Sequence, residues 1–130
     1  MRFIPTRTHG MLDYLIGVVL MGIPYVFDFA DGTAAQYVPQ ALGVALLIAS
    51  VLTNYELGLV RLIPMPVHLM LDFASGALLA ASPWLFGFAD RIFWPHLILG
   101  LVEIGSALAT HTVPDTMDRL STASTARRSM

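Results

Sequence analysis

Charged residues divide the chain into long apolar intervals. Between Arg7 and Asp28 the single charge is Asp13, and between Asp31 and Glu56 there is none. Between Arg61 and Asp90 stands Asp72 alone, and between Arg91 and Asp115 Glu103 alone. A helix needs about 20 mainly apolar residues to cross about 30 Å of hydrocarbon. The pattern therefore predicts four membrane spans, at about 8–26, 37–53, 67–86 and 92–112. Backbone groups in lipid need internal partners, which leaves helices or closed barrels, and these segments lack the alternation of barrel strands. An all-α membrane bundle is expected. Asp31-Gly32 punctuates the chain after the first span, and Pro64 and Pro66 stand before the third. After Pro114 the composition turns to Asp, Ser, Thr and Arg, so residues 115–130 are expected to be a disordered cytoplasmic tail.

Composition strengthens this reading. Hydrophobic residues make up 56% of the 130 and charged residues 12%, about half the share a soluble domain carries, and mean hydropathy is +0.71. Without cysteine there are no disulfides and no thiolate chemistry. A net charge of −2 with no lysine gives no footprint for nucleic acid. Arg2, Arg7, Arg61, Arg119, Arg127 and Arg128 fall on one side of the four-span arrangement and Arg91 on the other. Basic flanks stay in the cytoplasm, so both termini are expected there, in a bacterial inner membrane.

The chain is also an internal duplication. Shifted by 59 residues, Arg2-Phe3-Ile4-Pro5 aligns with Arg61-Leu62-Ile63-Pro64, and His9, Met11, Leu12 and Asp13 align with His68, Met70, Leu71 and Asp72. Gly17, Leu20, Pro24, Phe27 and Phe29-Ala30-Asp31 recur as Gly76, Leu79, Pro83, Phe86 and Phe88-Ala89-Asp90. Fourteen of the 30 pairs from Arg2/Arg61 to Asp31/Asp90 are identical. The second helices match weakly, through Gly43 and Gly100 with a two-residue shift. Two units follow, 1–57 and 58–114, each with two spans. An even number of spans per unit makes them parallel, about a pseudo-two-fold axis along the membrane normal.

With Ser82-Pro83-Trp84 in the second unit, and the degenerate Ile23-Pro24-Tyr25 in the first, the chain resembles the SPW repeat family of small integral membrane proteins. The resemblance covers about residues 2–113. It implies a membrane protein of two-helix repeats and carries no reaction, cofactor or substrate with it.

At 100° per residue, His9, Asp13, Gly17, Leu20 and Pro24 fall within about 80° of one another, and their counterparts repeat the stripe. A face kept in both copies predicts that the first and third helices meet there, with Gly17 close to Gly76. Ala41, Ala45 and Ala49, and Gly105 with Ala109, are expected to support close packing elsewhere. Pro24 and Pro83 predict a kink or early end, with Tyr25 and Trp84 at interfacial depth.

Chemistry rests with the ionisable residues. His9 with Asp13, and His68 with Asp72, are helical neighbours at i, i+4 near the cytoplasmic end. A hydrogen-bonded lock, a four-ligand metal site, and part of a proton path or haem site all fit these residue types. The lock is preferred, because carboxylates are favoured near helix N-termini and histidine can satisfy them. No metal or other cofactor is expected on that preference. Glu103 would cost about 3 kcal/mol facing lipid, so it is expected inside, on a stripe with His96, Gly100, Ala107 and Thr110 or His111. Glu56, at a helix end, is expected in solvent. With no phosphate loop, no acyl-transfer set and no His-Glu-x2-His element, an enzyme is not expected. The expected partners are the bilayer and another copy or a membrane protein. The alternative is a small protein that handles ions, protons or a metal or haem cofactor through the His/Asp cluster and Glu103.

Overall fold

A computed structural model describes residues 2–129; Met1 and Met130 lie outside the described residues. The fold is all-helical: α1 (Thr6–Val26), α2 (Ala34–Val51), α3 (Met65–Leu85), α4 (Trp94–Ala109) and α5 (Asp115–Arg128). The first three are long and apolar enough to cross a membrane, whereas α4, at 16 residues, is shorter. The segment from residue 110 stops being helical because Thr110 turns extended and pairs with Ile4. Beyond Pro114, where composition predicts no structure, the chain continues as α5. Arg127 and Arg128 in its last turn complement the helix dipole.

Inside and outside are exchanged relative to a soluble protein. Leu15, Val18, Ile48, Met70 and Leu101 are more than half exposed, while His9, Asp13, His68, Asp72, His96, Glu103 and Thr110 are at most 2% exposed. Lipid can cover an apolar surface of this kind without cost, and the bundle interior takes the polar groups. This is a membrane protein, and its apolar core of Ile16, Leu20, Ile23, Phe29, Leu46, Leu79 and Phe88 fills the remaining space.

The most extensive packing is α3 on α4 and α1 on α2, with a smaller α2–α3 contact. Glycines set these distances. A Cβ at Gly76 would lie 2.8 Å from the Gly100 carbonyl oxygen, and one at Gly43 2.8 Å from that of Gly17. Gly17 and Gly76 therefore seat the second helix of their own half, and the expected Gly17–Gly76 approach is corrected. The expectation for small residues on α2 and α4 is corrected too: Ala41, Ala45 and Gly105 are exposed, and Gly43 and Gly100 make the close contacts.

The recurring Pro-x2-Phe elements are helix ends. Past α1, Asp28 takes a left-handed conformation (φ 58°) and the Phe29 N–H donates to the Pro24 carbonyl at 2.8 Å. Past α3, Gly87 (φ 74°) and the Phe88 N–H with the Pro83 carbonyl do the same, again at 2.8 Å. Both are Schellman closures, so each proline sits in the last turn of its helix. Pro83 also lacks the N–H that would reach the Leu79 carbonyl, and the Ser82 hydroxyl donates to that oxygen at 2.7 Å. The Ser-Pro step of the motif thus satisfies its own lost bond. Tyr25 and Trp84 are exposed on the outer surface.

Candidate functional site

Two ends of the bundle are tied differently. At one end the N-terminal segment, the 52–64 connection and the end of α4 converge. The Phe3 and Ile4 N–H groups donate to the Ala109 carbonyl at 2.7 and 2.8 Å, Arg2 donates to the Ala107 and Thr110 carbonyls at 3.0 and 2.7 Å, and Ile63 bridges Thr53 as Ile4 bridges Thr110. Glu56, expected in solvent, instead accepts the Thr6 hydroxyl at 2.8 and 2.9 Å. At the other end Arg91 pairs with Asp31, whose Oδ1 also accepts the Thr33 hydroxyl at 2.6 Å. Those two bonds, the Thr33 one first, hold the Asp31 carboxyl low, at about 2.

One turn inside the first end, α1 and α3 bring His9, Asp13, His68 and Asp72 together. The pairing is crossed: His9 Nε2 lies 2.8 Å from Asp72 Oδ2, and His68 Nε2 lies 2.8 Å from Asp13 Oδ2. The neighbours along each helix close the ring at 3.0 Å (His9–Asp13) and 3.1 Å (His68–Asp72). One oxygen of each carboxylate therefore serves both imidazoles, and all four side chains are sealed at 2% exposure or less. The two rings meet edge to face, 5.7 Å apart.

The outer nitrogens are fixed by threonine. Thr53 donates its hydroxyl proton to the Ala49 carbonyl at 2.6 Å, and Thr110 donates to the Ser106 carbonyl at 2.6 Å. Each hydroxyl has one proton, so each Oγ1 can only accept from the imidazole beside it. His68 Nδ1–H donates to Thr53 Oγ1 at 2.7 Å, and His9 Nδ1–H to Thr110 Oγ1 at 2.8 Å, with Ser106 Oγ 2.9 Å from the same nitrogen. Both Nε2 atoms therefore face the carboxylates. Tyr55, buried at 1% and 6.0 Å from the His68 ring, closes this side. It fits because Gly10 has no side chain: a Cβ there would overlap the Tyr55 ring.

The other expected residues lie around this quartet. Glu103 is 2% exposed; its Oε1 accepts the Ser75 hydroxyl at 2.6 Å, and its Oε2 is buried with no hydrogen-bond partner among the described residues. His96, Gly100, Ala107 and Thr110 share its buried face, whereas His111 is half-buried. His96 sits at the far end, between Phe29 and Phe88, with ring distances of 5.3 and 4.8 Å. Its Nε2–H donates at 2.9 Å to the Ala35 carbonyl, the oxygen that Pro39 leaves without a helical donor. Thr53, Ser106, Ser75 and Tyr55 are the residues that sequence reasoning missed, and Thr110, expected on the Glu103 stripe, was not expected beside His9. The shifted register that pairs Gly43 with Gly100 also pairs Thr53 with Thr110, and that was the available signal.

A polar-cored helical membrane protein with a duplicated His-x3-Asp element is the class these features define. The chain belongs to the SPW repeat family, whose SPW repeat domain matches residues 7–110. No curated protein and no solved structure matches the chain.

Proposed function

We propose that the chain is a four-span bundle of two parallel two-helix repeats, both termini in the cytoplasm of a bacterial inner membrane, clasped near that face by the His/Asp quartet. It acts without catalysis, through packing with another copy or a membrane partner. One observation carries this reading: each histidine bonds the aspartate of the opposite unit, and each is oriented by a threonine at the end of a second helix. All four spans are thereby joined at one level. The outward surface, rich in Leu, Val, Ile and Met, is left to lipid and partners.

The test is a double-mutant cycle on the protein in detergent. Asp72→Ala leaves a buried imidazole short of its acceptor and is expected to cost about 1–3 kcal/mol, lowering the thermal midpoint. His68→Ala should cost a similar amount, and the double variant less than the sum, because the two groups are coupled. Additive effects would refute the clasp.

A second reading, ion or proton handling through the quartet and Glu103, is favoured by the unpartnered Glu103 Oε2. Under the packing reading Glu103→Gln is tolerated. Proton flux into proteoliposomes that disappears in Glu103→Gln would move the assignment to the second.

A further inference from the structure

We propose that the quartet is a binding site for one divalent first-row transition-metal ion, held by Nε2 of His9 and His68 and by Oδ2 of Asp13 and Asp72. The inference deepens the clasp reading: the ion takes the place of the protons that otherwise sit between imidazole and carboxylate.

Four observations converge. First, the ligand atoms are gathered already, all within 4.8 Å of one another. Second, they form a ring in which nitrogen and oxygen alternate, and the ring uses a single oxygen of each carboxylate. Two imidazoles beside one carboxylate can each take an oxygen of their own, whereas convergence on a single oxygen suits a point charge in the middle. Third, the hydroxyl directions leave both Nε2 atoms facing inward with Nδ1–H committed to Thr53 and Thr110. An outer N–H bonded to an oxygen is the usual support of a metal-bound histidine, since it fixes ring orientation and tautomer. Fourth, two neutral imidazoles and two carboxylates carry a charge of −2, so one divalent ion makes the sealed set neutral.

The ligand chemistry narrows the ion. Imidazole nitrogen argues against calcium and magnesium, which take oxygen, and the absence of sulfur argues against copper(I). An ion about 2.0–2.1 Å from each atom has ligand edges of about 2.9 Å in a square plane and about 3.4 Å in a tetrahedron. The edges here are 2.8, 3.0, 2.8 and 3.1 Å. Edges of this length are also those of ordinary hydrogen bonds and do not choose between the two geometries, so the set suits copper(II), nickel(II) or zinc. The ligands are buried, so the ion enters as the chain folds.

The full-length protein is expressed in media supplemented with copper, nickel or zinc, purified in detergent, and analysed for metal by mass spectrometry. About one equivalent per chain is expected in wild type and in His111→Ala, and about a tenth or less in His68→Ala. The copper form should show a tetragonal electron paramagnetic resonance spectrum with splitting from two nitrogens. Thr53→Val keeps all four ligands and so guards against loss of fold; chelator competition should show it about 10- to 100-fold weaker. Folded wild type without stoichiometric metal from any of the three media, or metal retained fully in His68→Ala, overturns the inference. If wild type is metal-free and the Asp72/His68 cycle still shows coupling, the metal site fails and the clasp stands; with metal bound and additive effects, the clasp fails alone.

Discussion

At the scale of single residues, what distinguishes the buried groups is how each polar atom is matched. Thr53 and Thr110 spend their one proton on a backbone carbonyl and so become acceptors, which makes Nδ1 of each histidine a donor. Ser82 and His96 fill carbonyls that Pro83 and Pro39 leave open. At the exposed end the same matching gives a pH dependence. Asp31 is held at about 2, below its ordinary 3.8, mainly by the Thr33 hydroxyl and next by Arg91. A lowered carboxylate contributes stability that is present above the ordinary value and lost as pH falls through the folded one, so this tie should loosen between about pH 4 and pH 2. In a carboxyl titration by NMR, Arg91→Gln should raise the Asp31 midpoint part of the way, and Thr33→Val at least as far. An unchanged midpoint in both would remove the assignment. These pairings were only half legible. His-x3-Asp at two matching positions announces a cluster, but the direction of a threonine hydroxyl depends on a carbonyl four residues back and on the approach of another helix.

At the scale of elements, charge intervals located the helices well because lipid penalises charge wherever it faces out. The α4 boundary was placed too late, at about 112, because Thr110-His111-Thr112-Val113 is apolar enough to continue while its backbone is claimed by Ile4. The duplication was legible and its contacts were not. Identity between copies says that a residue has the same surroundings in each, and this holds both for His9/His68, which cross to the other unit, and for Gly17/Gly76, which stay within their own. Glycine positions give a direct check. A Cβ at Gly100 would lie 2.5 Å from the Ala80 nitrogen and the Gly76 oxygen, both backbone atoms that cannot swing aside, whereas one at Gly105 meets nothing within 4 Å. Gly100→Ala is expected to destabilise by about 1–3 kcal/mol in a detergent unfolding assay. Gly105→Ala should be neutral or stabilising by up to about 1 kcal/mol through helix propensity. Equal effects at the two positions would contradict the packing.

At the scale of the whole molecule, the question is how the bundle sits in its membrane, and α4 decides it. Its 16 residues rise about 24 Å, short of about 30 Å of hydrocarbon. Two observations nevertheless support a crossing. His96 in its first turn bonds the start of α2 at the Asp31–Arg91 end, and Ala109 at its last turn accepts from Phe3 and Ile4 at the other. The helix therefore runs from one end of the bundle to the other, and apolar Ile92-Phe93 before it, with local thinning of the bilayer, can make up the difference. Of the seven arginines, Arg91 alone belongs to the connection between α3 and α4. The proposed four-span arrangement, with its basic flanks inside, puts both termini in the cytoplasm. A reporter fused after Ser129 should then behave as cytoplasmic, and one inserted within residues 32–36 as exported. If α4 does not cross, the two reporters fall on the same side, and if the arginine asymmetry is misread, both reverse. Each failure has its own signature, so a single pair of fusions separates the span count from the orientation.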